Sequence, residues 1–146
     1  MGKQPSSCLH GNGQKHSVRR MKTILAIAAG GALGALGRHF LAYHVNALIG
    51  PGFPWGIFVC NVLGSFAMGV LVEASAMFWS PSAELRAFIA VGVLGAFTTF
   101  STFSLDVVLL LERGDMVKAG LYVTASVLCG VIGLFAGLHL IRAVMA

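Results

Sequence analysis

Four long apolar stretches, each free of Asp, Glu, Lys and Arg, constrain this chain more than any other feature. Residues 53–72 give 20 such positions, 87–105 give 19 and 119–141 give 23. The earliest, residues 23–37, gives 15, pauses at Arg38-His39 and resumes apolar over 40–49. A helix of about 20 apolar residues crosses a hydrocarbon core about 30 Å thick. Water is absent there, so peptide groups must bond within their own segment, and a helix does this. Breakers separate the stretches: Gly50-Pro51-Gly52 with Pro54, then Ser80-Pro81-Ser82, then Arg113-Gly114-Asp115. The pattern predicts an all-α integral membrane protein with transmembrane helices over about 23–47, 53–76, 85–111 and 117–143.

Composition excludes the other classes. Only 10% of the residues are charged and 57% are hydrophobic, whereas a soluble domain carries about 25% charge. Hydrophobicity this high rules out a disordered chain, and three cysteines in 146 residues do not make a disulfide scaffold. The net charge of +5 comes from one end, where Lys3, Lys15, Arg19, Arg20 and Lys22 cluster. Residues 1–21 are polar and aperiodic and read as a disordered basic tail, leaving 22–146 as the membrane domain. Met21-Lys22-Thr23 is a candidate second start. A signal peptide competes for the first stretch, but no convincing A-x-A cleavage site lies ahead of Arg38 and apolar sequence resumes directly after Arg38-His39. Nucleic-acid binding would need a basic face on a folded domain. After residue 22 the basic and acidic side chains balance, so no such partner is expected.

Orientation is weakly encoded. With four spans, Lys22, Arg86 and Arg142 share one side, against Arg113 and Lys118 on the other. The positive-inside rule then leaves orientation open, and a chain able to insert both ways can assemble as an antiparallel dual-topology homodimer. The basic tail adds charge to one side only.

Inside the spans, small and polar residues carry the information. Gly30, Gly31, Gly34 and Gly37 form one stripe and Gly130, Gly133 and Gly137 another, a pattern that lets helix backbones approach closely in lipid. Asn61 in the second span either joins helices or faces a hydrated path. Arg38 either snorkels to the surface or sits at an aqueous vestibule. The densest polar run is Thr98-Thr99-Phe100-Ser101-Thr102-Phe103-Ser104, following Gly92 and Gly95. Hydroxyls bonding to the preceding turn would merely bend a helix. Alternatively the helix is interrupted, which at membrane depth is tolerated where backbone is buried in protein or lines a water-filled cavity. Phe100 and Phe103 add positive ring edges that attract anions.

These residues resemble the signatures of the Fluc (CrcB) fluoride channel family. The similarity comprises the run from Thr98 to Ser104, Gly-Gly-Ala-Leu-Gly-Ala-Leu-Gly-Arg38 in the first span and Asn61-Val-Leu-Gly64 in the second, in matching order over residues 22–146. The resemblance implies a dual-topology homodimer with two fluoride pores, a broken third helix and a structural sodium ion. It assigns the sodium to backbone oxygens of Gly95 and Thr98 from both subunits. Phe100 and Phe103 become pore aromatics, Asn61 a pore donor and Arg38 a vestibule residue. Tyr122 and Ser126 resemble the family's polar track, whose next position is here Gly130, where a hydroxyl is expected. Implied with these are passive fluoride efflux giving resistance to fluoride toxicity, a lipid environment and a prokaryotic inner membrane. A small multidrug-type exporter is the runner-up, but the first span holds no carboxylate. A structural membrane scaffold would leave the Thr/Ser/Phe run unexplained, and nothing resembles a nucleophile, base and orienter set, so no enzyme activity is expected.

Overall fold

The computed structural model describes residues 10–145, with side chains from residue 17. Among the described residues it is all-helical. Helix α1 runs His10–Ile49 and α2 Trp55–Met77. The third apolar segment starts as α3, Ala83–Arg86, widens into a π-helix over Ala87–Leu94, and ends its first half with α4, Gly95–Phe97. Helix α5, Phe100–Glu112, completes it, and α6 covers Met116–Met145. Four segments are long and apolar enough to cross a membrane: Ser17–Ile49, Trp55–Met77, Ala83–Glu112 and Met116–Met145.

Part of the expected tail is helical. Helix α1 extends back to His10, into the part of 1–21 read as disordered, and its membrane-length portion starts at Ser17 rather than near 23. Gln14, Lys15, Arg19, Arg20 and Lys22 are good helix formers, and no proline lies between Pro5 and Pro51. Residues 1–9 of that tail lie outside the described residues.

Local chemistry sets the helix ends. Gly50 leaves α1 with φ of 101°, a left-handed value that suits glycine, and Gly114 does the same after α5 with φ of 79°. Asn46 of α1 reaches the next helix, its Oδ1 accepting from the Gly56 N–H at 2.8 Å. That bond satisfies an otherwise unpaired donor in the first turn of α2. The Ser82 hydroxyl accepts from Leu85 N–H at 3.2 Å and caps α3.

The glycine stripes fix the packing, and they do so within one chain. Gly30 and Gly34 lie directly on the backbone of the third segment: a Cβ at Gly30 would strike the Phe88 carbonyl, and one at Gly34 the Val93 carbonyl. Gly92 returns the contact, its Cα side facing Gly30. The second stripe joins α2 to α6. A Cβ at Gly137 would strike the Phe66 carbonyl, one at Gly69 the Leu134 carbonyl, and one at Gly133 would come within 3.2 Å of the Val62 carbonyl. Rising numbers pair with rising numbers in both seams, so α1 runs parallel to the third segment and α2 parallel to α6. At the ends of α2 and α6, Arg142 clamps Glu73 through Nε–Oε1 at 2.8 Å and Nη2–Oε2 at 3.0 Å.

Candidate functional site

The site grows from two threonines. Thr98 (φ −83°, ψ 154°) and Thr99 (φ −153°, ψ 123°) are extended, between α4 and α5 and midway along Ala83–Glu112. In a continuous helix the Thr99 N–H would donate to the Gly95 carbonyl, and the Thr102 N–H to the Thr98 carbonyl. Both donors go elsewhere. Thr99 N–H donates to Asn61 Oδ1 at 2.8 Å, and Thr102 N–H donates to Thr99 Oγ1 at 3.3 Å. The second bond is an N-cap for α5, and threonine supplies it readily. Asn61 also donates from Nδ2 to the Thr99 carbonyl at 3.3 Å, so one amide holds both backbone groups of Thr99. Neither the Gly95 nor the Thr98 carbonyl keeps its usual helical donor. Gly95 is also solvent-exposed in the single chain.

Beside the extended pair opens a cavity of ≈ 380 Å³, lined by Asn61 and Ser65 from α2, Gly95, Thr98 and Thr99, Phe100 and Phe103 from α5, and Ser126 with Val127 from α6. Its polar groups have unused capacity. The Ser126 hydroxyl is shielded yet has no hydrogen-bond partner among the described residues. The Asn61 amide spends one of its two N–H donors on Thr99. Phe100 is 80% exposed, and its ring centroid lies 5.7 Å from that of half-buried Phe103.

The structure brings Asn61, Gly95, Thr98, Phe100, Phe103 and Ser126 to one cavity, and leaves two residues of the expected set elsewhere. Tyr122 is fully buried behind Phe103, ring centroids 5.1 Å apart, and its hydroxyl donates to Asp106 Oδ2 at 3.2 Å. Phe53 meets the same tyrosine edge-on at 5.3 Å. Arg38 lines a separate cavity of ≈ 330 Å³ with His39, Tyr43, Asn46 and Thr102. No carboxylate lies within ion-pair distance of it among the described residues.

Sequence reasoning passed over Thr99, Ser65 and Asp106. Asp106 served only to mark where an uncharged stretch ends, although an acid inside a membrane helix is a functional position by default. It stands three residues after Phe103, and Ser65 four after Asn61. Those spacings place each on the same helix face as the residue before it.

Comparison with known proteins identifies the family. The family model "CrcB-like protein, Camphor Resistance (CrcB)" matches residues 25–138. A protein of Rhodospirillum centenum named fluoride-specific ion channel FluC is 56% identical over 126 residues, covering 86% of this chain and 100% of its own length. A protein of the same name from Chelativorans sp. is 48% identical, with 86% and 100% covered. One from Agrobacterium fabrum is 45% identical, with 84% and 98% covered. The extended threonines, the asparagine that holds them and the paired phenylalanines all fall inside the matched region, and the chain belongs to the CrcB family.

Proposed function

We propose that this chain is a fluoride-selective channel and not an enzyme, and that it conducts passively as an antiparallel dual-topology homodimer in a bacterial inner membrane. The observation that carries the reading is the cavity beside Thr98-Thr99. Donors with spare capacity on Asn61 and Ser126 line the same cavity as the aromatic rings of Phe100 and Phe103. Fluoride is small and tightly hydrated, so a path for it must replace water with short, unforced donors while releasing the ion onward. Amide and hydroxyl groups supply the first requirement. Ring edges attract an anion without trapping it. Fluoride that enters cells as neutral HF from an acid medium ionises inside, and its outward gradient then drives efflux without a coupled ion.

The interrupted third helix is central to this reading, and so is a second copy of the chain. Exposed Gly95 and Ser101 lie beside freed carbonyls midway along a span, where lipid satisfies no polar group. A two-fold partner seated there would cover them. It would also bring the Gly95 and Thr98 carbonyls of both copies together, four hard oxygens suited to a structural sodium ion. The residues fit such an ion because these are the two carbonyls that have lost their helical donors. The bound cation would offset the partial charges of the converging carbonyls. The paired glycine seams do not contribute to the dimer argument, since both are occupied within one chain.

Liposomes loaded with fluoride test the function. Purified protein should release it rapidly to a fluoride electrode, and release no faster than from protein-free liposomes refutes the proposal. For topology, a cysteine placed between residues 113 and 118 should label from both sides of intact cells; labelling from one side alone refutes dual insertion.

A further inference from the structure

Hydroxyls along the membrane segments find partners in several ways, Ser101 and Thr102 bonding to the Thr99 hydroxyl. Those of Thr23, Ser75, Thr98 and Ser104 each donate to the carbonyl four residues earlier, the ordinary way for a hydroxyl to be satisfied in an apolar setting. Ser65 and Ser126 make no such bond, and both line the ≈ 380 Å³ cavity. They approach it from different helices, Ser65 one turn beyond Asn61 on α2 and Ser126 one turn beyond Tyr122 on α6.

One turn further along α6 the expected hydroxyl is missing, because residue 130 is glycine. A Cβ built at Gly130 would lie 3.6 Å from Ser65 Oγ, an ordinary contact distance. A serine hydroxyl on α6 at that position would therefore occupy much the same neighbourhood that Ser65 already serves from α2. We infer that Ser65 is an anion-contacting residue of this channel, supplying from the second helix the donor that the fourth helix lacks at Gly130. The inference rests on the fluoride-channel reading above and adds a specific ligand to it. Two uncommitted hydroxyls from different helices, in the same cavity as the spare Asn61 N–H, give a desolvating anion several short donors. Each hydroxyl rotates freely to meet it.

Fluoride efflux from liposomes reconstituted with the full chain tests this. Ser65→Ala should slow efflux about tenfold, the consequence of losing one donor worth about 1.4 kcal/mol. Adding Gly130→Ser to Ser65→Ala should restore efflux to within about threefold of the unsubstituted chain, because the hydroxyl returns from the other helix. A purely structural role for Ser65 predicts no such rescue. Ser65→Gly provides a second hydroxyl deletion should the alanine variant purify poorly. Efflux through Ser65→Ala or Ser65→Gly equal to the unsubstituted chain overturns the inference while leaving the channel intact. A defect that Gly130→Ser does not relieve overturns it as well. An unsubstituted chain that releases no fluoride refutes instead the function on which the inference rests.

Discussion

Two regions within the membrane-length helices are both built around small residues, and they behave oppositely. Where Gly30 and Gly34 meet Gly92, backbone lies on backbone and every peptide group belongs to its own helix. Where Thr98 and Thr99 meet Asn61, the helix ladder opens and a side chain from 38 residues away takes its place. The glycine seam derives its stability from dispersion contacts that lose roughly a quarter to a half of their strength when the helices separate by about 0.5–1 Å. The threonine region relies on directed hydrogen bonds that leave other groups unpaired. A small side chain in a membrane helix thus allows close approach, and the chemistry beside it decides whether the place becomes dry packing or a polar cavity.

The comparison breaks most severely at the seam. Gly34→Leu should abolish recovery of monodisperse protein, because its Cβ alone already strikes the Val93 carbonyl. Overpacking of this kind costs about 1–3 kcal/mol even for modest additions, and backbone cannot yield as a flexible side chain can. Gly31→Leu is the control: nothing lies within 4 Å of its Cβ position, so yield and melting temperature should hardly change. Equal behaviour of the two variants would dissolve the distinction drawn here.

Asn61→Ala should come next. It leaves the Thr99 N–H and carbonyl without their partner, a cost of about 1–3 kcal/mol for each buried group left unsatisfied. The expected outcome is a protein that still purifies, with a lowered melting temperature and fluoride efflux reduced more than tenfold. Efflux unchanged by this substitution would show the polar region to be as inert as the seam.

Phe103→Leu sharpens the comparison within the polar region. Leucine fills comparable apolar space against Tyr122 but removes the ring edge, so the protein should elute normally while efflux falls severalfold. Flux equal to that of the unsubstituted chain would return Phe103 to the class of packing residues.

Asp106→Asn should have the smallest effect. An asparagine oxygen can still accept from the Tyr122 hydroxyl, whereas Asp106→Ala would strand that hydroxyl in an otherwise apolar cluster. Efflux and melting temperature should be nearly unchanged for the first and clearly lowered for the second. Equal losses in both variants would mean that the charge of Asp106, rather than its hydrogen bond, matters.

The spans themselves were legible in the residues alone. Hydrophobic length and breakers are local properties, and in lipid a helix is the structure that satisfies a peptide group from its own neighbours. The four membrane-length segments accordingly start and stop within a few residues of the apolar stretches, except at Ser17, where helix-forming polar residues prolong α1. Tertiary structure alone decided everything that required a distant partner. Gly30 in one segment and Gly92 in another show no mark of belonging together, nor do Gly69 and Leu134. The pattern around Asn61 left open whether its amide joins helices, and only folding brought it to Thr99. Tyr122 resembles part of a polar track in the sequence, and the fold encloses it among Phe53, Phe103 and Asp106. Hydropathy is set by each residue's own transfer from water into lipid, whereas the direction of a hydrogen bond depends on where two segments are placed against each other.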